Sequence, residues 1–185
     1  MDALILAGGK SSRMGGKHKG SLLIGEESFT QHLLNEFQAH ADQVFVSYGE
    51  IVRQKLPGCQ IIQDEYKDCG PMGGLHAGLK SCRSDTLMTA ACDMPLLKWE
   101  LYEYLLTQLA DHDAVIPIAD GRCQPLAAIY RKTALPVLER CLRNGDFRMM
   151  KALEKINVCY ADASKFAFML KNINTEEEYL SFLQE

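Results

Sequence analysis

No two of the seven cysteines stand closer than ten residues apart, at positions 59, 69, 82, 92, 123, 141 and 159. A C-x-x-C pair for zinc or redox chemistry is therefore absent. The odd count also leaves no complete disulfide framework, and the expectation is reduced, half-buried thiols in a cytoplasmic protein. The chain has no apolar run approaching the roughly 18 residues of a membrane span. Its first residues lack the basic segment that precedes the apolar core of a secretion signal. It also lacks a basic balance: 20 Lys and Arg against 24 Asp and Glu give a net charge of −4 and a pI near 5.8. That argues against general binding to nucleic acid or to anionic membranes. Internal repeats, low-complexity tracts and composition breaks are missing too, so residues 1–185 are expected to form a single domain.

What is present suffices for a packed core, since 185 residues with 47% hydrophobic content should bury roughly 70% of their unfolded surface. The most distinctive stretch comes first. The apolar run Leu4-Ile5-Leu6-Ala7 stops abruptly in Gly8-Gly9-Lys10-Ser11-Ser12-Arg13-Met14-Gly15-Gly16-Lys17-His18-Lys19. Glycines let backbone N–H groups approach an anion unobstructed, and Lys10, Arg13, Lys17 and Lys19 surround them with positive charge. A buried strand feeding a polyphosphate site fits this pattern; so does a surface turn with solvated cations. Two familiar phosphate motifs do not fit. Gly16-Lys17 is followed by His18 where a P-loop needs Ser or Thr, and Gly8-Gly9-Lys10 does not begin a G-x-G-x-x-G fingerprint.

Along the chain, Ser28 with Gln31 predicts a capping box for a helix over 29–40, in which Phe29, Leu33, Leu34 and Phe37 share a face. Val44–Val46 and Gln60–Gln63 read as the next strands, with Asp64 and Glu65 at the end of the second. Gly70–Leu79 turns into a helix with Pro71 at its start, where small residues allow close packing or reception of an anion or a flat base. His76 within it is open. Thr86–Cys92 is nearly continuously apolar, as expected of a central strand covered on both faces. Asp93 follows at once, at the strand end where ligands of open α/β sheets bind; it is either an oxygen ligand for Mg²⁺ or a turn aspartate before Pro95.

A helix around Leu97–Leu109, a strand at Ala114–Ile118 and a hairpin turn at Asp120-Gly121 come next, with Pro125–Tyr130 expected as the returning strand. Residues 132–143 and 147–155 read as helices and Val158–Tyr160 as a last strand. Thr175 with Glu178 caps a final helix. Alternating strands and helices predict an α/β fold, Rossmann-like and doubly wound, with a mainly parallel sheet and one antiparallel hairpin.

The run Leu6-Ala7-Gly8-Gly9-Lys10-Ser11-Ser12-Arg13-Met14-Gly15 followed by Lys19 resembles the signature of the MobA-type nucleotidyltransferases, the molybdenum cofactor guanylyltransferases. Asp64, Gly70-Pro71-Met72-Gly73-Gly74, Cys92-Asp93-Met94-Pro95, Gln124-Pro125-Leu126 and Asn172-Ile173-Asn174-Thr175 follow in the family's order. The resemblance implies a sheet of the nucleotide-diphospho-sugar transferase type. It implies transfer of GMP from GTP to molybdopterin or Mo-molybdopterin, with Mg²⁺ as cofactor and release of pyrophosphate. By position, Leu6, Ala7, Gly8 and Gly9 would meet the nucleotide and Lys19 the phosphates. Asp64 would meet the guanosine part and Asp93 the metal, and Ser47 stands at the place of a polar nucleotide contact, with Arg13, Lys19 and Asp93 catalytic. Arg148 and Asn174 would face the pterin phosphate. The chain departs from the family at His18, where aspartate is common, at Glu176, where proline is, and at Ser47, often asparagine. A cytidylyltransferase, which typically has Leu-Ala-Ala-Gly at 6–9, another phosphate-accepting nucleotidyltransferase and a non-catalytic delivery module are the alternatives.

Overall fold

The computed structural model describes residues 1–8, 19–49 and 56–184, and of Lys19 the backbone alone. In chain order the elements are β1 (Asp2–Leu6), a short hairpin of β2 (Leu23–Ile24) and β3 (Glu27–Ser28), α1 (Phe29–Gln38), β4 (Val44–Ser47) and β5 (Gln60–Ile62). Next come α2 (Pro71–Ser81), β6 (Thr86–Ala91), α3 (Trp99–Thr107), β7 (Ala114–Ala119), β8 (Arg122–Cys123) and β9 (Ile129–Arg131). The last are α4 (Leu135–Arg143), α5 (Met149–Leu153), β10 (Val158–Asp162) and α6 (Glu176–Phe182).

The main sheet runs β10-β7-β9-β6-β1-β4-β5, with β8 paired to the end of β7. β1 pairs in parallel with both β4 and β6, β4 with β5, and β7 with β10; β9 runs antiparallel between β6 and β7, and β8 runs antiparallel to β7. The chain thus moves outward from β1 through β4 to β5, then returns to the other flank of β1 as β6. Such a reversal opens a crevice at the carboxyl ends of the strands.

Strand alternation sorts the core into two layers. Ala3, Ile5 and Ala7 of the β1 segment face α1 and α3, where Leu33, Phe37, Leu101, Tyr102 and Leu105 cover them. Leu4 and Leu6 face the opposite way, onto Met72, Leu75 and Leu79 of α2 and the apolar sides of α4 and α5. Burial on both faces is why β1 and β6 read as continuous apolar runs rather than alternating ones. A third, smaller cluster of Leu22, Phe29 and Ile173 is closed by Tyr179 and Phe182 of α6. All seven cysteines are unbridged. Among the described residues no helix is long and apolar enough to cross a membrane.

The doubly wound, mainly parallel sheet is as expected, but several local expectations change. Asp120 and Gly121 make the hairpin turn with φ of 50° and 70°, the mirror-image geometry that matches strand twist. The returning strand is β8, which pairs with Ile118 and Ala119. The segment Pro125–Ala128 is not a strand; Pro125 has no N–H to offer, and the Ala127 N–H turns back to the Gln124 carbonyl (3.1 Å). The expected capping box at Ser28 is only half formed. Ser28 Oγ accepts the Gln31 N–H (3.1 Å), while the Gln31 amide donates to Asn35 Oδ1 (2.7 Å) instead of reaching back. The helix expected from residue 132 starts as a 3-10 turn and becomes α-helical at Leu135, because Pro136 is tolerated only in a first turn. The Thr175–Glu178 capping box forms in full.

Candidate active site

Register aligns four strand ends in one row. Leu6 lies opposite Ser47 on one side and Ala91 on the other, and Ser47 lies opposite Ile62. The residues that leave these strands, Ala7-Gly8, Tyr48-Gly49, Gln63-Asp64 and Cys92-Asp93, therefore emerge along a single rim. Two hydrogen bonds continue the ladder past the strand ends: Ala7 N–H to the Ser47 carbonyl (2.8 Å) and Cys92 N–H to the Leu6 carbonyl (3.0 Å). At Gly8 a Cβ would lie 3.1 Å from both Gly49 N and Tyr48 C, so the backbone of β1 leaves the sheet in contact with that of β4.

Lys19 reaches the same rim from the other end of the loop. Its backbone opens a 3-10 turn, Lys19–Ser21, that is held to α1 by the Thr30 hydroxyl donating to the Gly20 carbonyl (3.0 Å). A Cβ on Gly20 would come within 3.5 Å of Cys92 Sγ, which places this turn beside the residue preceding Asp93. Asp93 is half-buried and its carbonyl accepts the Ile173 N–H (2.8 Å). That bond ties the Asn172–Asn174 segment to the rim, with Asn174 one residue further on. Gly9, Lys10, Arg13, Lys17 and His18 lie outside the described residues.

On the α2 side, Ser47 Oγ donates to Asp64 Oδ1 (2.7 Å) and accepts the Gly49 N–H (3.3 Å). Helix α2 presses on this pair through Gly73 and Gly74. A Cβ on Gly73 would meet the Tyr66 carbonyl at 2.8 Å and Asp64 Oδ2 at 3.1 Å, and one on Gly74 would meet Leu6 Cδ2 at 2.6 Å and Ser47 Oγ at 3.0 Å. The small residues at the start of this helix are thus explained by close packing. Burial raises the Asp64 carboxyl above the ordinary range, opposed by the Ser47 hydrogen bond and by His76.

His76 is buried, its Nδ1 has no partner among the described residues, and its ring meets Tyr66 edge-on at 5.1 Å. Burial lowers its pKa. The Tyr66 hydroxyl in turn accepts from Arg143 Nε (3.4 Å). The loop that follows Arg143 carries Arg148, which forks onto Asp146 Oδ1 (2.9 Å) and Oδ2 (3.2 Å). Because α4 rises from the end of β9 and α5 descends toward the start of β10, this loop lies at the same end of the sheet as the rim.

The sequence-predicted residues Leu6, Ala7, Gly8, Ser47, Asp64 and Asp93 are thus brought together, with the Lys19 turn and Asn174 beside them. Arg148 lies toward the α2 flank, engaged with Asp146. Sequence reading missed Tyr66, which joins α2 to α4, and the Ile173–Asp93 bond. The only signal for the latter was one apolar residue between two asparagines.

A sheet that reverses at its first strand, with a glycine exit from β1, carboxylates after β5 and β6 and the Lys19 turn beside them, defines an open α/β fold with a ligand crevice at the carboxyl ends of its strands. The chain belongs to the MobA-like NTP transferase family, whose model matches residues 3–158. A probable molybdenum cofactor guanylyltransferase of Clostridium perfringens is 30% identical over 99% of this chain and 96% of its own length. The molybdenum cofactor guanylyltransferase of Vibrio parahaemolyticus is 30% identical over 98% and 94%. The crystal structure of molybdopterin-guanine dinucleotide biosynthesis protein A from Archaeoglobus fulgidus superposes with a TM-score of 0.83 at 26% identity, over 100% of this chain and 97% of that one.

Proposed function

We propose that this chain transfers GMP from GTP to molybdopterin, or to its molybdenum-loaded form, making the guanine dinucleotide cofactor and pyrophosphate. The carrying observation is the meeting of Gly8, the Lys19 turn and Asp93 at one rim, the arrangement that in-line attack on a triphosphate requires. The names of the relatives supply the substrates. An oxygen of the acceptor phosphate attacks the α-phosphorus of GTP, and the bond from that phosphorus to the bridging oxygen of the leaving pyrophosphate breaks. The attacking phosphate is already ionised at neutral pH, so no general base is needed. No protein nucleophile is needed either.

Catalysis then rests on alignment and charge. The backbone at Leu6, Ala7, Gly8 and Gly9 meets the nucleotide, and Arg13 and Lys19 neutralise the transferring and leaving phosphates. Asp64 faces the guanosine, with Ser47 bonded to it. Arg148 and Asn174 hold the acceptor phosphate from the two flanks of the rim. Asp93 is a hard oxygen donor suited to Mg²⁺, which such sites hold through one or two carboxylates plus phosphate oxygens. When bound, the cation would offset negative charge on the triphosphate. Residues 1–185 act as one domain, and the seven unbridged thiols fit a cytoplasmic setting.

With Mg²⁺, molybdopterin and each nucleoside triphosphate in turn, pyrophosphate release should require GTP. Lys19→Ala and Asp93→Ala should each slow it by about 10²-fold or more. Preferred use of CTP, or full activity in Asp93→Ala, would overturn the reading.

A further inference from the structure

Ser47 ends β4 at the rim, and its surroundings leave it little freedom to act on a ligand directly. It is 2% exposed. A serine hydroxyl has one proton, and here that proton is given to Asp64 Oδ1 at 2.7 Å, while the Gly49 N–H donates to Ser47 Oγ at 3.3 Å. Helix α2 closes the remaining side: a Cβ at Gly74 would lie 3.0 Å from Ser47 Oγ and 3.4 Å from its Cβ. Parallel neighbours β1 and β5 flank the strand on which it sits. Asp64, by contrast, is half-buried, with Oδ1 fixed by Ser47 and Oδ2 beside Gly73.

We infer that Ser47 is a positioning residue: it aims the Asp64 carboxylate at the bound nucleoside and makes no contact with the nucleotide itself. The functional half of this inference rests on the reading of Asp64 as the guanosine contact. Two consequences follow from the chemistry of the pair. First, removing the hydroxyl frees the carboxylate to rotate, so binding suffers only through Asp64. Second, the donated hydrogen bond favours the ionised carboxylate against the burial that opposes it. Without it Asp64 takes up its proton at higher pH. The other titratable groups that bear on Asp64 are His76 of α2 and Cys69 before that helix. His76 is held toward its neutral form by burial and Cys69 toward its thiol, so neither supplies a compensating charge near neutrality.

The test follows the Asp64 side-chain carboxyl by ¹³C NMR through a pH titration in the wild type, Ser47→Ala and the near-isosteric Ser47→Cys. The expected result is an upward shift of roughly one pH unit in Ser47→Ala, with Ser47→Cys in between because a thiol donates weakly. An unchanged Asp64 titration in both variants overturns the inference. GTP affinity is then measured in Ser47→Ala, Asp64→Asn and the double variant. If Ser47 acts through Asp64, the double variant binds no more weakly than Asp64→Asn. Fully additive losses would show that Ser47 touches the nucleotide, and would also overturn it. Should Asp64→Asn alone bind GTP like the wild type, the guanosine reading of Asp64 falls and with it the aiming at nucleoside, whereas an NMR shift would still establish Ser47 as the residue that holds this carboxylate.

Discussion

Two alanine substitutions in one helix should separate the packing of α2 from its part in nucleotide binding. Gly73 and Gly78 stand about 7.5 Å apart along the axis of α2, Gly73 against the Asp64–Tyr66 loop and Gly78 against Leu4 of β1 and Leu87 of β6. At Gly73 the added methyl would meet a backbone carbonyl, that of Tyr66, at 2.8 Å, and Asp64 Oδ2 at 3.1 Å. At Gly78 it would meet Leu4 Cδ2 at 2.6 Å and Leu87 Cδ2 at 3.0 Å. Leu4 and Leu87 are both completely buried and cannot swing aside. Alanine gains about 1 kcal/mol over glycine in a helix interior, whereas forcing a methyl into a packed core costs about 1–3 kcal/mol. At these distances the clash should win, lowering stability by roughly 1 kcal/mol in each variant, read as a lower urea midpoint with unchanged slope. The binding effects should diverge. Gly73→Ala displaces Asp64 and weakens GTP binding by about tenfold, since small misplacements at a site are costly. Gly78→Ala keeps wild-type affinity under conditions where both variants are folded. Equal losses of affinity in the two variants would refute this division of the helix, as would a Gly73→Ala protein with wild-type stability and affinity.

Asp2 is 1% exposed; burial pushes its carboxyl up, but the N–H groups of Ser84 and Arg83 and the Ser84 hydroxyl hold it below the ordinary value on balance. A carboxylate so depressed adds stability above the unfolded-state pKa near 3.9, and that stability is lost as pH falls through the lower folded value. Below about pH 5 the melting temperature of the wild type should fall more steeply than that of Asp2→Asn; parallel curves would remove Asp2 from the acid response. Thr89, fully buried in β6, donates its hydroxyl to the Ala128 carbonyl and accepts the Ala128 N–H, both at 3.1 Å. Thr89→Val strands that N–H and should cost about 1–3 kcal/mol in urea unfolding. A loss within measurement error would mean the amide finds another acceptor.

The parts of the fold that were legible in the sequence are those in which the cause is local. β1 and β6 announce themselves because strands covered on both faces carry only apolar residues. Helix α6 does so because Thr175 and Glu178 satisfy each other's backbone within four residues. Asp93 was legible for a related reason: a carboxylate directly after a central strand must leave at the sheet's carboxyl edge. Local signals failed where a competitor outside the segment decided. Gln31 could have closed a capping box, but Asn35 took its amide. Pro125–Ala128 is apolar enough for a strand, but the pairing place beside the end of β7 was filled by β8, and Thr89 of β6 held the Ala128 backbone.

By itself the sequence determined an α/β fold with a glycine-rich opening and an acid at the end of a central strand, since periodicity and composition act over a few residues; the nucleotidyltransferase reading came from the resemblance of its motifs to a family. Which distant residues share the site was decided only by tertiary structure. Parallel register set Leu6 opposite Ser47 and Ala91, and so placed residues some eighty positions apart on one rim. The approach of α2, possible only at Gly73 and Gly74, locked Ser47 onto Asp64. The return of Ile173 to the Asp93 carbonyl carried Asn174 to the same edge. These contacts depend on where whole elements pack, and no window of the sequence contains both partners.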